Sequence, residues 1–255
     1  MTGYFKPGIV GYMATSIEPD HNHQRTNSRI LEQAKSGTAR AALLGVSDGL
    51  VTNVSLILGV AGAGATPQIV RLAGVASLIA GAFSTAVGEY ISMKGQVELL
   101  ENILRVEHDE LQEHPDEARK ALREVLIADG MTEPTATTGS VEVAAHPEKA
   151  MAMYARGKLG INPEELGSVW GAAGSSLIMF SAGALVPLLP WFFTGGFTAL
   201  VVSVILSAFG ALAIGAYLGY TTGAPLLRPA LRQLIVLILA ASATYLVGLL
   251  FHTRI

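Results

Sequence analysis

Apolar residues dominate five runs of this chain, 39–64, 68–93, 169–193, 196–220 and 231–251, and charges interrupt them only sparsely. A helix rising 1.5 Å per residue crosses a ~30 Å hydrocarbon layer in about 20 residues, so each run is long enough for a transmembrane helix. Gly64-Ala65-Thr66-Pro67 separates the first two runs and is too short for anything but a tight turn between antiparallel spans. Pro190-Trp191-Phe192-Phe193-Thr194-Gly195-Gly196 joins the third to the fourth, and its aromatic residues suit the membrane–water boundary.

Between the second and third runs the pattern changes to polar helices punctuated by proline. The second span is expected to continue as a helix to about Glu113, where His114-Pro115 stops it. Pro115 suits the first position of a second helix, ending near Gly130. Residues 131–145 are rich in Thr, Ser and Gly and read as a flexible linker, after which His146-Pro147 opens a third helix that ends at Gly160. The predicted fold class is all-α, a polytopic membrane protein with five transmembrane helices and a three-helix cytoplasmic insert between helices 2 and 3. Four segments follow: 1–38 as a cytoplasmic N-terminal segment, 39–93 as the first two spans, 94–168 as the acidic insert and 169–255 as the last three spans. Residues 1–40 are polar and show no apolar run of the kind a cleaved signal peptide carries.

Composition agrees with lipid as the main solvent: 51% of residues are hydrophobic and only 15% charged. The charges are concentrated. Of 20 Asp and Glu, 15 lie between Lys94 and Ser168, against 8 of 17 Lys and Arg. The net −3 thus averages a hydrophobic body and an acidic module, and no nucleic-acid partner is expected. The absence of cysteine excludes disulfides, thiolate metal sites and thiol nucleophiles. Arg25, Arg29, Lys35 and Arg40 precede the first span, and Arg228 and Arg232 separate the fourth from the fifth. By the positive-inside rule the N-terminus and the insert are expected in the cytoplasm and the C-terminus on the far side.

Polar groups within the spans carry the candidate chemistry. At 100° per residue Gly45, Asp48, Gly49, Thr52 and Gly59 fall on one stripe of the first span. A central Asp costs about 2.5–3.5 kcal/mol to insert, and such residues usually face a cavity or a partner. The second span carries a small or polar stripe, Ser77, Gly81, Ser84, Gly88 and Ser92, with Thr85 and Glu89 one turn apart on its flank. Asp48 and Glu89 both belong to the cytoplasmic half, where two carboxylates suit a hard or borderline divalent cation that competes with protons. In the insert Glu107, Glu110 and Glu113 share a helix face, with Glu117 just beyond Pro115, and carboxylates so spaced can share a metal. A solvated acidic face accounts for the same spacing.

Together these features resemble the vacuolar iron transporter family, from about His21 to Phe251. The resemblance rests on Gly45-Val46-Ser47-Asp48-Gly49-Leu50-Val51-Thr52-Asn53, Gly88-Glu89-Tyr90-Ile91-Ser92, Gly183-Ala184-Leu185-Val186-Pro187-Leu188-Leu189-Pro190 and Thr244-Tyr245-Leu246-Val247-Gly248, in that order around a helical insert. It implies a homodimer in the bilayer with the ion path at the subunit interface, exporting Fe²⁺ or Mn²⁺ from the cytoplasm in exchange for protons. By resemblance Asp48 is the membrane ligand, Thr52 and Thr85 line the path, Glu89 binds the ion near the cytoplasmic mouth, and Glu107, Glu110 and Glu117 collect metal. The membrane implied is the cell membrane in a prokaryote and the vacuolar membrane in a eukaryote. Three departures stand out: Thr85 where many relatives carry Met, Lys120 at an expected Glu, and Tyr154, Ala155 and Lys158 in place of a Met-Met-x-x-Glu pattern.

The expected function is a transporter rather than an enzyme, with no cofactor beyond the ion it carries. One rival is a non-transporting, membrane-anchored sensing or partner-binding protein. The other is a metal oxidase, which the absence of a Glu-x-x-His pair disfavours; the insert offers only His108, His114 and His146.

Overall fold

The computed structural model describes residues 37–163 and 166–252. In chain order the helices are α1 (Gly37–Gly62), α2 (Pro67–Glu113), α3 (Pro115–Ala128), α4 (Glu133–Ala144), α5 (Pro147–Tyr154), α6 (Val169–Leu188), α7 (Pro190–Phe193), α8 (Gly196–Thr222) and α9 (Leu227–His252). No strand occurs among the described residues. Five helices, α1, α2, α6, α8 and α9, are long and apolar enough to cross a membrane, as the five apolar runs predict. Their outer faces leave Leu72, Phe83, Trp170, Phe197, Leu239 and Phe251 exposed by more than half. So much contiguous apolar surface suits lipid rather than water.

The first span sits at the centre. Within the hydrophobic windows, 44% of α1 is buried against 17% of α9. Its Leu50, Val54 and Ile57 are fully enclosed and meet Leu188, Trp191, Ala199 and Leu237 in one cluster. Close approach to two neighbours makes this possible. A side chain at Gly49 would strike the Phe180 carbonyl of α6, and one at Gly183 would strike backbone of α1 at Val46 and Leu50. Gly248 of α9 meets the Gly59 carbonyl in the same way. Apolar burial drives little helix association in lipid, so helices that touch backbone to backbone gain van der Waals contact instead. Two buried hydrogen bonds add direction: Asn53 Nδ2 donates to the Ala184 carbonyl at 2.6 Å, and Ser203 Oγ to the Pro187 carbonyl at 2.7 Å.

The second span runs on without a break to Glu113, and its 47 residues give a rod of about 70 Å. Less than half of that length fits a ~30 Å hydrocarbon layer, so α2 is also the stem of the insert. Pro115 and Pro147 begin α3 and α5, as the sequence predicts. The expected linker over 131–145 is instead α4, so the insert has three helices beyond the stem rather than two. Thr132 stands at its N-cap and Pro134 in its first turn. Thr137 and Thr138 turn their hydroxyls back to the Glu133 and Pro134 carbonyls, which spares those groups from competing with the helix. Ala136 and Ser140 pack inward, where Gly139 lies against Leu126 of α3. After α5 the chain makes a π turn over Ala155–Leu159, closed by Gly160 at φ +67°.

The Trp191 ring also departs from the expected interfacial belt. It is buried in the core, while Phe192 and Phe193 keep the outward position. Residues 1–36, most of the expected N-terminal segment and three of the four basic residues ahead of the first span, lie outside the described residues.

Candidate cation path

Three oxygen-bearing side chains converge within α1 and α2. Asp48 Oδ1 accepts from Thr52 Oγ1 at 3.0 Å, one turn further along the same helix. Asp48 Oδ2 accepts from Thr85 Oγ1 of α2 at 3.5 Å. Asp48 lies eleven residues into α1, about 17 Å along its axis, which is near the middle of a hydrocarbon layer if the helix starts at its edge.

Glu89 stands one turn from Thr85 on α2 and is buried, only 7% exposed. Its Oε2 has no hydrogen bond, and Arg40 Nη2 approaches it to 3.6 Å. Arg40 occupies the first turn of α1, so at that end of the cluster a carboxylate faces a guanidinium. Its part here was not legible in the sequence, where Arg40 carried only a topological role. A separation of 49 positions gives no periodic signal.

The predicted stripe of α1 is split by the fold. Gly45 and Gly49 turn into α6, where a side chain on Gly45 would come within 2.7 Å of the Ser176 carbonyl oxygen. Asp48 and Thr52 emerge at the exposed edge. Asn53 holds one flank of α1 to α6, and Ser47, beside Asp48, accepts from Gln233 Nε2 of α9. The rotation of α1 is thus fixed from two sides. On α2, Gly81 packs against Phe180, while Ser84, Gly88 and Ser92 remain exposed beside the Asp48 face, with nothing within 4 Å of a side chain built on Gly88.

In the insert the structure brings Glu107, Glu110 and Glu117 around one cleft of about 560 Å³, together with His114, Lys120, Glu124 and Tyr154. Among the described residues no three His, Asp or Glu side chains are close enough to share a metal ion. Two carboxylates are already engaged: Glu107 Oε2 accepts from the Tyr154 hydroxyl at 3.0 Å, and Glu124 Oε2 from Lys158 Nζ at 3.0 Å. The Lys158 bond and charge hold the Glu124 carboxyl below its ordinary range. Burial, and then the bond to Glu107, push the Tyr154 phenol up to about 12.

Tyr154 therefore stays protonated and donating through the physiological range. Its share of insert stability is complete below the ordinary tyrosine range near 10 and is lost as pH rises through about 12. Tyr154→Phe is expected to lower insert stability by about 1 kcal/mol. The 295 nm difference titration between native protein and variant is expected to show one tyrosinate with a midpoint near 12. A midpoint near 10 means that Tyr154 is neither buried nor bonded to Glu107 in solution.

A helical bundle with five helices long and apolar enough to cross a membrane, two of which meet through the Asp48 and Thr85 side chains, defines a polytopic membrane protein. The VIT family model matches residues 39–249, and the chain belongs to that family. It is similar to vacuolar iron transporter 1 of Eucalyptus grandis, with 29% identity over 85% of this chain and 90% of the relative. Vacuolar iron transporter 1 of Arabidopsis thaliana is 27% identical over 90% of this chain and 92% of its own length. Vacuolar iron transporter homolog 2 of the same plant is 30% identical over 83% of each. The protein is thus an integral membrane protein and a transporter of metal ions.

Proposed function

We propose that the chain exports Fe²⁺ or Mn²⁺ from the cytoplasm in exchange for protons, as a homodimer whose ion path runs between the subunits past Asp48. The observation that carries this reading is the exposure of Asp48 and Thr52 on the surface of a single chain at membrane depth. A carboxylate turned to hydrocarbon costs about 2.5–3.5 kcal/mol, so a second protein surface or water must cover it. A second copy related by a two-fold axis supplies that surface and places two Asp48 carboxylates opposite each other. The exposed small residues Ser84, Gly88 and Ser92 on the adjoining face of α2 suit close helix approach across such an axis.

Ligand chemistry supports the choice of ion. The path offers carboxylate and hydroxyl oxygens from Asp48, Thr52, Thr85 and Glu89, and such a set suits hard or borderline divalent ions over soft ones. Carboxylates bind metal only when deprotonated, so each ion that binds displaces protons and the proton gradient can drive the exchange. With the termini oriented by the positive-inside rule, Glu89 and the insert face the cytoplasm and the ion enters past Glu89 toward Asp48. Glu107, Glu110 and Glu117 are the insert residues proposed to attract ions to that mouth. Lys120 in the same cleft and Lys158 on Glu124 reduce its net negative charge.

Purified protein in liposomes tests this directly. Uptake of Fe²⁺, Mn²⁺, Co²⁺ and Zn²⁺ is followed with an internal pH dye at two external pH values. Fe²⁺ or Mn²⁺ flux with opposite proton movement is expected. Metal flux without any pH change removes the exchange; binding without flux of any ion favours a sensing or partner-binding role.

A further inference from the structure

Glu89 is the one buried carboxylate among the described residues, and what compensates its charge is unusual. Its Oε2 accepts no hydrogen bond, and among the described residues Arg40 alone forms an ion pair with it. The contact is long, at 3.6 Å, beyond a normal N–H···O bond, and lacks the paired geometry in which a guanidinium grips a carboxylate. The two partners are also unlike in setting. The Glu89 side chain is 9% exposed and cannot easily leave, whereas Arg40 is 57% exposed and can swing its head into water.

We propose that Arg40 is a tethered counter-cation that occupies Glu89 between ions, and that a divalent cation must displace it to enter. The inference rests on the transport reading for its purpose, but its physical content is competition for one carboxylate. A buried, ionised carboxylate without a cation beside it is costly, so the ionised Glu89 requires one. When an ion sits on Glu89, two positive groups repel and the guanidinium turns outward. When the ion moves on past Thr85 to Asp48, Arg40 returns. Its return removes the vacant carboxylate that would draw the ion back, which favours forward movement at the expense of tight binding.

The experiment compares equilibrium Mn²⁺ binding to purified full-length native protein, Arg40→Gln, Arg40→Met and Arg40→Lys, by the paramagnetic resonance signal of free Mn²⁺. Each is also made in a Glu89→Gln background, which separates this site from the carboxylates of the insert. Arg40→Met retains the aliphatic stem and serves if the Gln variant folds poorly. Both neutral variants are expected to bind Mn²⁺ about fivefold tighter or more, with Arg40→Lys close to native and no effect of Arg40 where Glu89 is Gln. Equal or weaker binding by the neutral variants overturns the proposal, because Arg40 would then only position Glu89. Tighter binding that persists in the Glu89→Gln background overturns it too. Absence of metal flux in the native protein defeats the transport reading alone, since the binding comparison needs no flux.

Discussion

Asp48→Asn is expected to lower metal flux in proteoliposomes about 100-fold while the protein folds as well as before. Asn keeps the size of the side chain, its Oδ1 can still accept from Thr52 and its Nδ2 can donate to the Thr85 hydroxyl instead, so the packing of α1 barely changes. What disappears is the one negative charge at lipid depth. Removing a charge partner from a cation there raises the barrier by about 2.5–3.5 kcal/mol, and each 1.4 kcal/mol is a factor of ten in rate. Asp48→Ala is expected to lose as much flux. Stability moves the other way: a buried or lipid-exposed carboxylate is a burden to the fold, so both variants should unfold at the native temperature or slightly higher. Loss of flux without loss of stability marks a residue kept for function. Flux equal to native in Asp48→Asn, at matched protein and with native monodispersity, would remove the charge from the mechanism.

Gly183→Val is expected to do the opposite and prevent a stable bundle from forming. A Cβ at Gly183 meets the carbonyl of Val46 and the amide nitrogen of Leu50, both backbone atoms of the central helix. Neither can rotate away as a side chain can. The helices must separate, which opens the α1–α6 seam where Gly45 and Gly49 make the same kind of approach. Overpacking in an ordinary core costs about 1–3 kcal/mol, and a clash with backbone on a rigid seam lies at or above that upper figure. Size-exclusion profiles in detergent over a temperature ramp are expected to show aggregation at a much lower temperature than native. Gly174→Ala, on the same helix as Gly183, is the control. Nothing lies within 4 Å of a side chain there, and Ala is the better helix former, so the single chain is indifferent to it or slightly improved. A native-like melting profile for Gly183→Val means that α1 and α6 do not pack as closely as described.

The two variants expose different layers of information in the chain. The spans, the turn at Gly64-Ala65-Thr66-Pro67 and the long stem ending at Glu113 were all legible in the sequence. Each is decided locally, by how many consecutive apolar residues can satisfy their backbone in lipid and by where a proline removes a donor. Helical spacing also singled out Thr85, Glu89 and the acidic residues of the insert, and the family resemblance supplied the roles expected of them. The helix at Glu133–Ala144 was not legible, because its Thr, Ser and Gly residues have weak helix preference and its order depends on packing Ala136 and Ser140 inward. Trp191 misled in the same way: an aromatic near a membrane boundary is a reasonable anchor, and only the neighbouring helices make it core.

By itself, then, the sequence determined which segments are apolar enough to enter the membrane, how they end and which of them carries a carboxylate midway along its length. Those outcomes follow from transfer between water and hydrocarbon, a property each segment carries alone. Tertiary structure decided how the stripe on α1 divides, with its glycines turned into α6 and Asp48 turned outward, and it set Arg40 beside Glu89. Such choices depend on which backbones can touch and which distant charges then meet, and in a lipid solvent no segment's own composition settles either.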